Sequence, residues 1–215
     1  MDQNVFVKSL SAPSGLGEGV QTNNLYTSPR GDQFVTLGVP LKADIVRQGR
    51  GAIVKTGAIA CVTALPTTTA SAYLWNGEPV TSNVNYVVDR ITWTCTTSAG
   101  VASMFALAIC VGKTAVTQPA TVQTLVTGTL NGRNYVGNAG MGVTATVTDD
   151  NWSTIGNHVD TNALTATVGA SIDVPIDGGL IIAPGRLLSL ACIAVNTTAA
   201  GRFFVHFHEV ELANK

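Results

Sequence analysis

The densest group of potential ligands is His206-Phe207-His208-Glu209-Val210-Glu211. On a strand, alternate residues share a face, so His206 and His208 together offer two positions to a metal ion. A third ligand must come from elsewhere. His158 is the remaining histidine, and the two glutamates fall on the opposite face. The simpler reading is a pair of histidines on the interface face of a terminal strand, so no metal site is expected. Asp149, Asp150 and Asn151, with Asp160, Asp173 and Asp177, suggest calcium at a loop end. The Asp-x-Asp-x-Asp-Gly spacing of a calcium loop is missing, so turn capping is the expected role. Gly112-Lys113-Thr114 looks like the end of a phosphate-binding loop, but Leu107 stands where the first glycine belongs and Pro119 follows where a helix is required. No Gly-x-Ser-x-Gly elbow is present, and the few acidic residues sit mostly in turns, so neither a nucleophilic triad nor a carboxylate pair can be assigned. The expectation is a protein without catalytic residues or cofactor.

Trp75, Trp93 and Trp152 are the remaining side chains with binding chemistry. Trp93 falls in a core pattern and is expected to be buried. Trp75 and Trp152 stand beside turns, where an aromatic ring either stacks on a sugar or closes the end of a sandwich. Cys61, Cys95, Cys110 and Cys192 all lie in apolar strand patterns without a Cys-x-x-Cys pair. Buried free thiols are expected; a Cys95–Cys110 disulfide is the alternative. The sequons at Asn151 and Asn196 carry no weight without a secretory signal, and Met-Asp-Gln-Asn does not begin one. Folding in a cytoplasm is the expectation.

The elements that must position these residues are strands. Residues 86–95 alternate with Val87, Ile91 and Trp93 on one face and Arg90, Thr92 and Thr94 on the other. Residues 101–111 place Phe105, Leu107, Ile109 and Val111 on one face and Ala106, Ala108 and Cys110 on the other. Joined by residues 97–100, the two read as a central hairpin. Further strands are predicted over 52–65 with a bend at Gly57, 71–75, 121–126, 143–148, 163–168, 171–174 and 180–183. A closing pair is predicted over 187–195 and 202–212. Between them, Asn76-Gly77, residues 128–142, residues 157–162, Asp177-Gly178-Gly179 and Pro184-Gly185 read as turns or loops. About ten strands without a helix-length periodic segment predict an all-β antiparallel β-sandwich, best read as a jelly roll over about 52–212, with an immunoglobulin-like sandwich as the alternative.

Residues 1–50 are read as an extended N-terminal arm with short edge strands, and residues 51–215 as the sandwich domain. The arm lacks periodicity, and its apolar residues Val5, Phe6, Leu10, Leu16, Leu25 and Tyr26 are candidate partner contacts. It lies either on a neighbouring subunit or on its own domain. Of the 215 residues, 12% are charged and 46% hydrophobic, with a net charge of −1. So few charges, beside abundant Thr and Ala, suit a protein packed against others. Basic residues are scattered, which argues against nucleic-acid binding, and no apolar run is long enough for a membrane helix.

The order Leu74-Trp75-Asn76-Gly77-Glu78, Tyr86-Val87-Val88-Asp89-Arg90-Ile91, Gly137-Asn138-Ala139, Asn151-Trp152-Ser153-Thr154-Ile155-Gly156, Ile182-Ala183-Pro184-Gly185 and Phe207-His208-Glu209-Val210 resembles small β-rich structural proteins of tailed bacteriophages. The resemblance spans about residues 70–212 and leaves residues 1–50 uncovered. It implies a non-enzymatic virion component, made in the bacterial cytoplasm, that decorates or cements the capsid. It also implies a homo-oligomer, a trimer above all, bound to the major capsid protein. The alternative is a carbohydrate-binding β-sandwich module of a phage tail or fibre, with Trp75 and Trp152 as stacking residues.

Overall fold

The computed structural model describes residues 26–27, 33–34, 45–46, 48–117, 119, 128–129, 137–147, 151–160 and 170–211. The chain divides into two compact units, Met1–Asp44 and Ile45–Lys215. In the first, β1 (Tyr26–Thr27) pairs antiparallel with β2 (Gln33–Phe34).

The second unit is an antiparallel β-sandwich. One sheet contains β3 (Gly51–Lys55), β4 (Ile59–Ala60), β6 (Val84–Thr97), β8 (Gly128–Thr129), β11 (Ser171–Ile182) and β13 (Ala200–Glu211). Its order is β11-β6-β13-β3-β8, with β4 also pairing β13. The other contains β5 (Thr69–Asn76), β7 (Ser103–Val111), β9 (Ala139–Thr146), β10 (Ser153–Asp160) and β12 (Leu187–Ile193), ordered β10-β7-β12-β5-β9. The inner faces share one core, in which the Trp93 indole of β6 meets the Phe105 ring of β7 with centroids 5.0 Å apart. Burying such side chains from both sheets contributes roughly 1.5–3 kcal/mol each.

The face assignment for β7 holds. Phe105, Leu107 and Ile109 enter the core and Val111 packs against it. In β13 the alternation is equally clean, with Phe203, Val205 and Phe207 inward.

The central hairpin is not formed. β6 lies between β11 and β13, whereas β7 lies between β10 and β12 in the other sheet. Packed sheets stand about 10 Å apart, and residues 98–102 reach across that gap as readily as they would fold back. The closing pair is corrected in the same way, since β12 and β13 belong to different sheets. The face assignment in β6 also changes midway. Opposite β13 the register jumps from Arg90 to Val88, leaving Asp89 as an extra, bulged residue. Before the bulge Tyr86 and Val88 point inward; after it Ile91, Trp93 and Cys95 do. Val87 therefore does not share a face with Ile91.

Three predicted turns lie within strands. Residues 139–142 begin β9, residues 157–160 complete β10, and Asp177-Gly178-Gly179 is an irregularity inside β11, where the register with β6 slips between Pro175 and Leu180. Asp177 and Gly178 adopt φ of 49° and 81° there. The break at Gly57 is present, as residues 56–58 separate β3 from β4. Predicted strands over 121–126 and 163–168 lie outside the described residues.

Candidate functional site

His206 and His208 do project from the same, outer side of β13. The bulge in β6 brings Asp89 to His208, with Nδ1 3.0 Å from the carboxylate Oδ2. His158 stands in the other sheet, on β10, opposite Phe105. The third metal ligand is thus not delivered, and no group of three or more His, Cys, Asp or Glu side chains is placed to hold a metal among the described residues. Glu209 turns inward and is buried, where it takes a 2.9 Å ion pair from Arg50 Nε. Glu211 is exposed at the end of the strand.

The acidic residues are dispersed. Asp173 accepts from Arg90 Nη1 at 2.9 Å and from Thr92 Oγ1 at 2.7 Å, bracing β11 to β6. Asp177 occupies the β11 irregularity, Asn151 is exposed before β10, and Asp149 and Asp150 lie outside the described residues. Gly112-Lys113-Thr114 opens an irregular connection after β7, with the Gly112 N–H bonded to the Leu187 carbonyl. Asn196, the acceptor of one sequon, is a turn brace. Its Nδ2 donates to the Ala99 carbonyl, and its Oδ1 accepts from the Thr198 and Ala199 N–H groups.

The aromatic candidates are brought together. Trp75 and Trp152 both pack against a second apolar cluster of Ala70, Tyr73, Ala145 and Leu187, separate from the main core. Trp75 Nε1 donates to the Val116 carbonyl at 3.1 Å, and Tyr73 Oη donates to the Pro119 carbonyl at 3.2 Å. The chain after β7 therefore lies over these rings, and both tryptophans are half-buried. Trp93 is fully buried, as its pattern predicted. Among the arm residues, Val5, Phe6, Leu10, Leu16 and Leu25 lie outside the described residues. Tyr26 stands opposite Phe34 in the β1–β2 pair.

All four cysteines are buried free thiols. The alternative Cys95–Cys110 bridge is not made. Cys95 points into the core from β6, and Cys110 lies on the face of β7 turned away from it. Cys95 Sγ instead donates to the Thr97 carbonyl.

One surface feature was missed in the sequence. Val159 of β10 pairs directly with Met104 of β7, and the Val195 N–H bonds to Ser103 Oγ beside them. Met104, Val159 and Val195 are 56%, 61% and 55% exposed, and Val101 stands exposed at the same end. The period of β7 places Met104 outward, but only the pairing with β10 shows that its neighbour is another exposed apolar residue. No family model, curated protein or solved structure matches the chain.

Proposed function

We propose that this chain is a non-enzymatic structural component of a bacteriophage virion that decorates or cements the capsid through contacts with the major capsid protein. In this reading it is made in the host bacterial cytoplasm and works as a homo-oligomer, a trimer. The observation that carries the reading is the exposed row of Met104, Val159 and Val195, in a chain with few charges. Apolar area left open on a folded surface gains about 25 cal/mol per Å² when a partner covers it. Repeated around a shell, that gain resists outward pressure without any catalytic group.

The strand order supports the fold half of the reading. β3-β13-β6-β11 faces β5-β12-β7-β10, and early strands alternate with late ones in each sheet. We read this as the two nested Greek keys of a jelly roll, with β8 and β9 added at the edges. Jelly rolls occur in capsid and lectin domains alike, so the fold leaves the function to be argued from the surface.

The test is co-expression with the major capsid protein encoded in the same genome, followed by sedimentation of the assembled shells. The chain is expected to pellet with the shells to a saturating level, and Met104→Asp with Val159→Asp to remain in the supernatant while folded by circular dichroism. A chain that stays soluble beside intact shells contradicts the reading.

The second reading, a carbohydrate-binding module of a tail or fibre, is favoured by the shared cluster of Trp75 and Trp152. It predicts that Trp152→Ala abolishes binding on a glycan array and leaves shell binding unchanged. An array on which the native protein binds nothing removes it.

A further inference from the structure

We propose that Cys61 and Cys192 form a redox-modification site, a facing thiol pair that an oxidant of the peroxide class converts to a disulfide. The backbone sets the pair. Val62 bridges Ile193 in parallel register, its N–H bonding to the Cys192 carbonyl at 2.9 Å while the Ala194 N–H bonds to the Val62 carbonyl at 2.8 Å. One residue back along both chains, Cys61 stands beside Cys192, and side chains opposite one another in parallel register point the same way. Here both point into the core, each 2% exposed. Neighbouring strands lie about 4.7–4.9 Å apart, inside the roughly 4.4–6.8 Å separation of Cα atoms that a disulfide spans.

The two thiols are close enough to share a side-chain hydrogen bond. That bond holds the Cys61 thiol below its ordinary value against the opposing effect of burial. The same bond, followed by burial, pushes the Cys192 thiol up. The other acceptor near Cys192, the Ile193 carbonyl, is 3.9 Å away and long even for sulfur. In the proposed reaction Cys61 is the attacking sulfur. It is also the accessible one in a short opening, because Ala60, Thr63 and Ala64 around it are exposed.

The chemistry balances with peroxide alone. The Cys61 thiolate attacks one peroxide oxygen, the O–O bond breaks, and the departing oxygen leaves as water, giving a sulfenic acid at Cys61. The Cys192 sulfur then attacks the Cys61 sulfur, the S–O bond breaks and a second water leaves. Two thiols and one hydrogen peroxide become one disulfide and two waters. The bond would tie the exposed segment around β4 to β12, and it stands independently of the virion reading.

The experiment treats the reduced full-length protein with hydrogen peroxide and then blocks remaining thiols with a maleimide in denaturant. Free thiols are expected to fall from four to two. A Cys61–Cys192 peptide pair lighter by two hydrogens should appear in a non-reducing digest. Cys110→Ser should behave as wild type, and Cys192→Ser should stop at a sulfenic acid trapped by dimedone on Cys61. Linkage through Cys95 or Cys110 at comparable yield would overturn the proposal. So would four free thiols under conditions that oxidise the urea-unfolded chain. The wild-type peptide map decides the matter even where a variant fails to fold.

Discussion

The side-chain amide of Asn76 is buried at the end of β5 and bonds in three directions. Its Nδ2 donates to the Val84 carbonyl at 3.0 Å and to the Ile182 carbonyl at 2.8 Å, and its Oδ1 accepts from the Glu78 N–H at 3.1 Å. One side chain thus joins β5 to both β6 and β11, across the two sheets. The Asn76-Gly77 pair reads as a turn in sequence because asparagine and glycine favour turns. That reading is incomplete, since the amide also links strands distant in sequence. Asn76→Ala leaves two buried carbonyls without that donor and is expected to cost about 2–3 kcal/mol, read as a lower midpoint in urea unfolding. Asn76→Asp keeps the shape but loses the donors, so it should cost at least as much. An aspartate variant as stable as wild type would show that shape alone matters. Tyr73 gives a pH signature at the same scale. Burial pushes its phenol above its ordinary value of 10.0. In alkali the unfolded chain loses that proton first, so stability should fall as pH rises past 10.0 and continue falling until the folded phenol also ionises. In Tyr73→Phe that part of the alkaline decline should be absent when thermal midpoints are measured against pH.

At the scale of elements, the period-two pattern marks strands such as β7 and β13 and does not reveal their partners. β7 and β13 were legible because inward aromatic and aliphatic residues alternate along them without a break. β6 misled because both of its faces are well covered around the bulge at Asp89, so apolar residues there do not indicate a side. The link from β6 to β7 crosses between sheets through Gly100, at φ 72°. A Cβ at Gly100 would meet nothing within 4 Å, so Gly100→Ala should cost only the left-handed backbone strain, about 1–2 kcal/mol. Gly100→Asn should cost less, because asparagine tolerates that region. Equal losses for the two in urea unfolding would mean that side-chain space, and not backbone conformation, is limiting. Of the candidate site, the shared face of His206 and His208 was readable from spacing. The separation of His158 into the other sheet was not, because spacing carries no information on strand order.

For the whole molecule, the low share of charged residues suits a protein packed against others, and on the proposed reading the exposed apolar row is where a partner would lie. The Arg50–Glu209 ion pair, buried on its glutamate side, holds β13 to the chain entering β3, while Met104, Val159 and Val195 at the outer end of β10-β7-β12 are exposed. This distribution is what the virion reading needs, a closed interior with an adhesive exterior. On the proposed virion reading, the most direct measurement is quantitative mass spectrometry of density-purified particles of a phage whose genome encodes this sequence. The account predicts peptides of this chain in a fixed copy ratio to the major capsid protein, retained after nuclease and high-salt washing. Particles that are complete and infectious without it, with the chain found only in the lysate, would contradict the account.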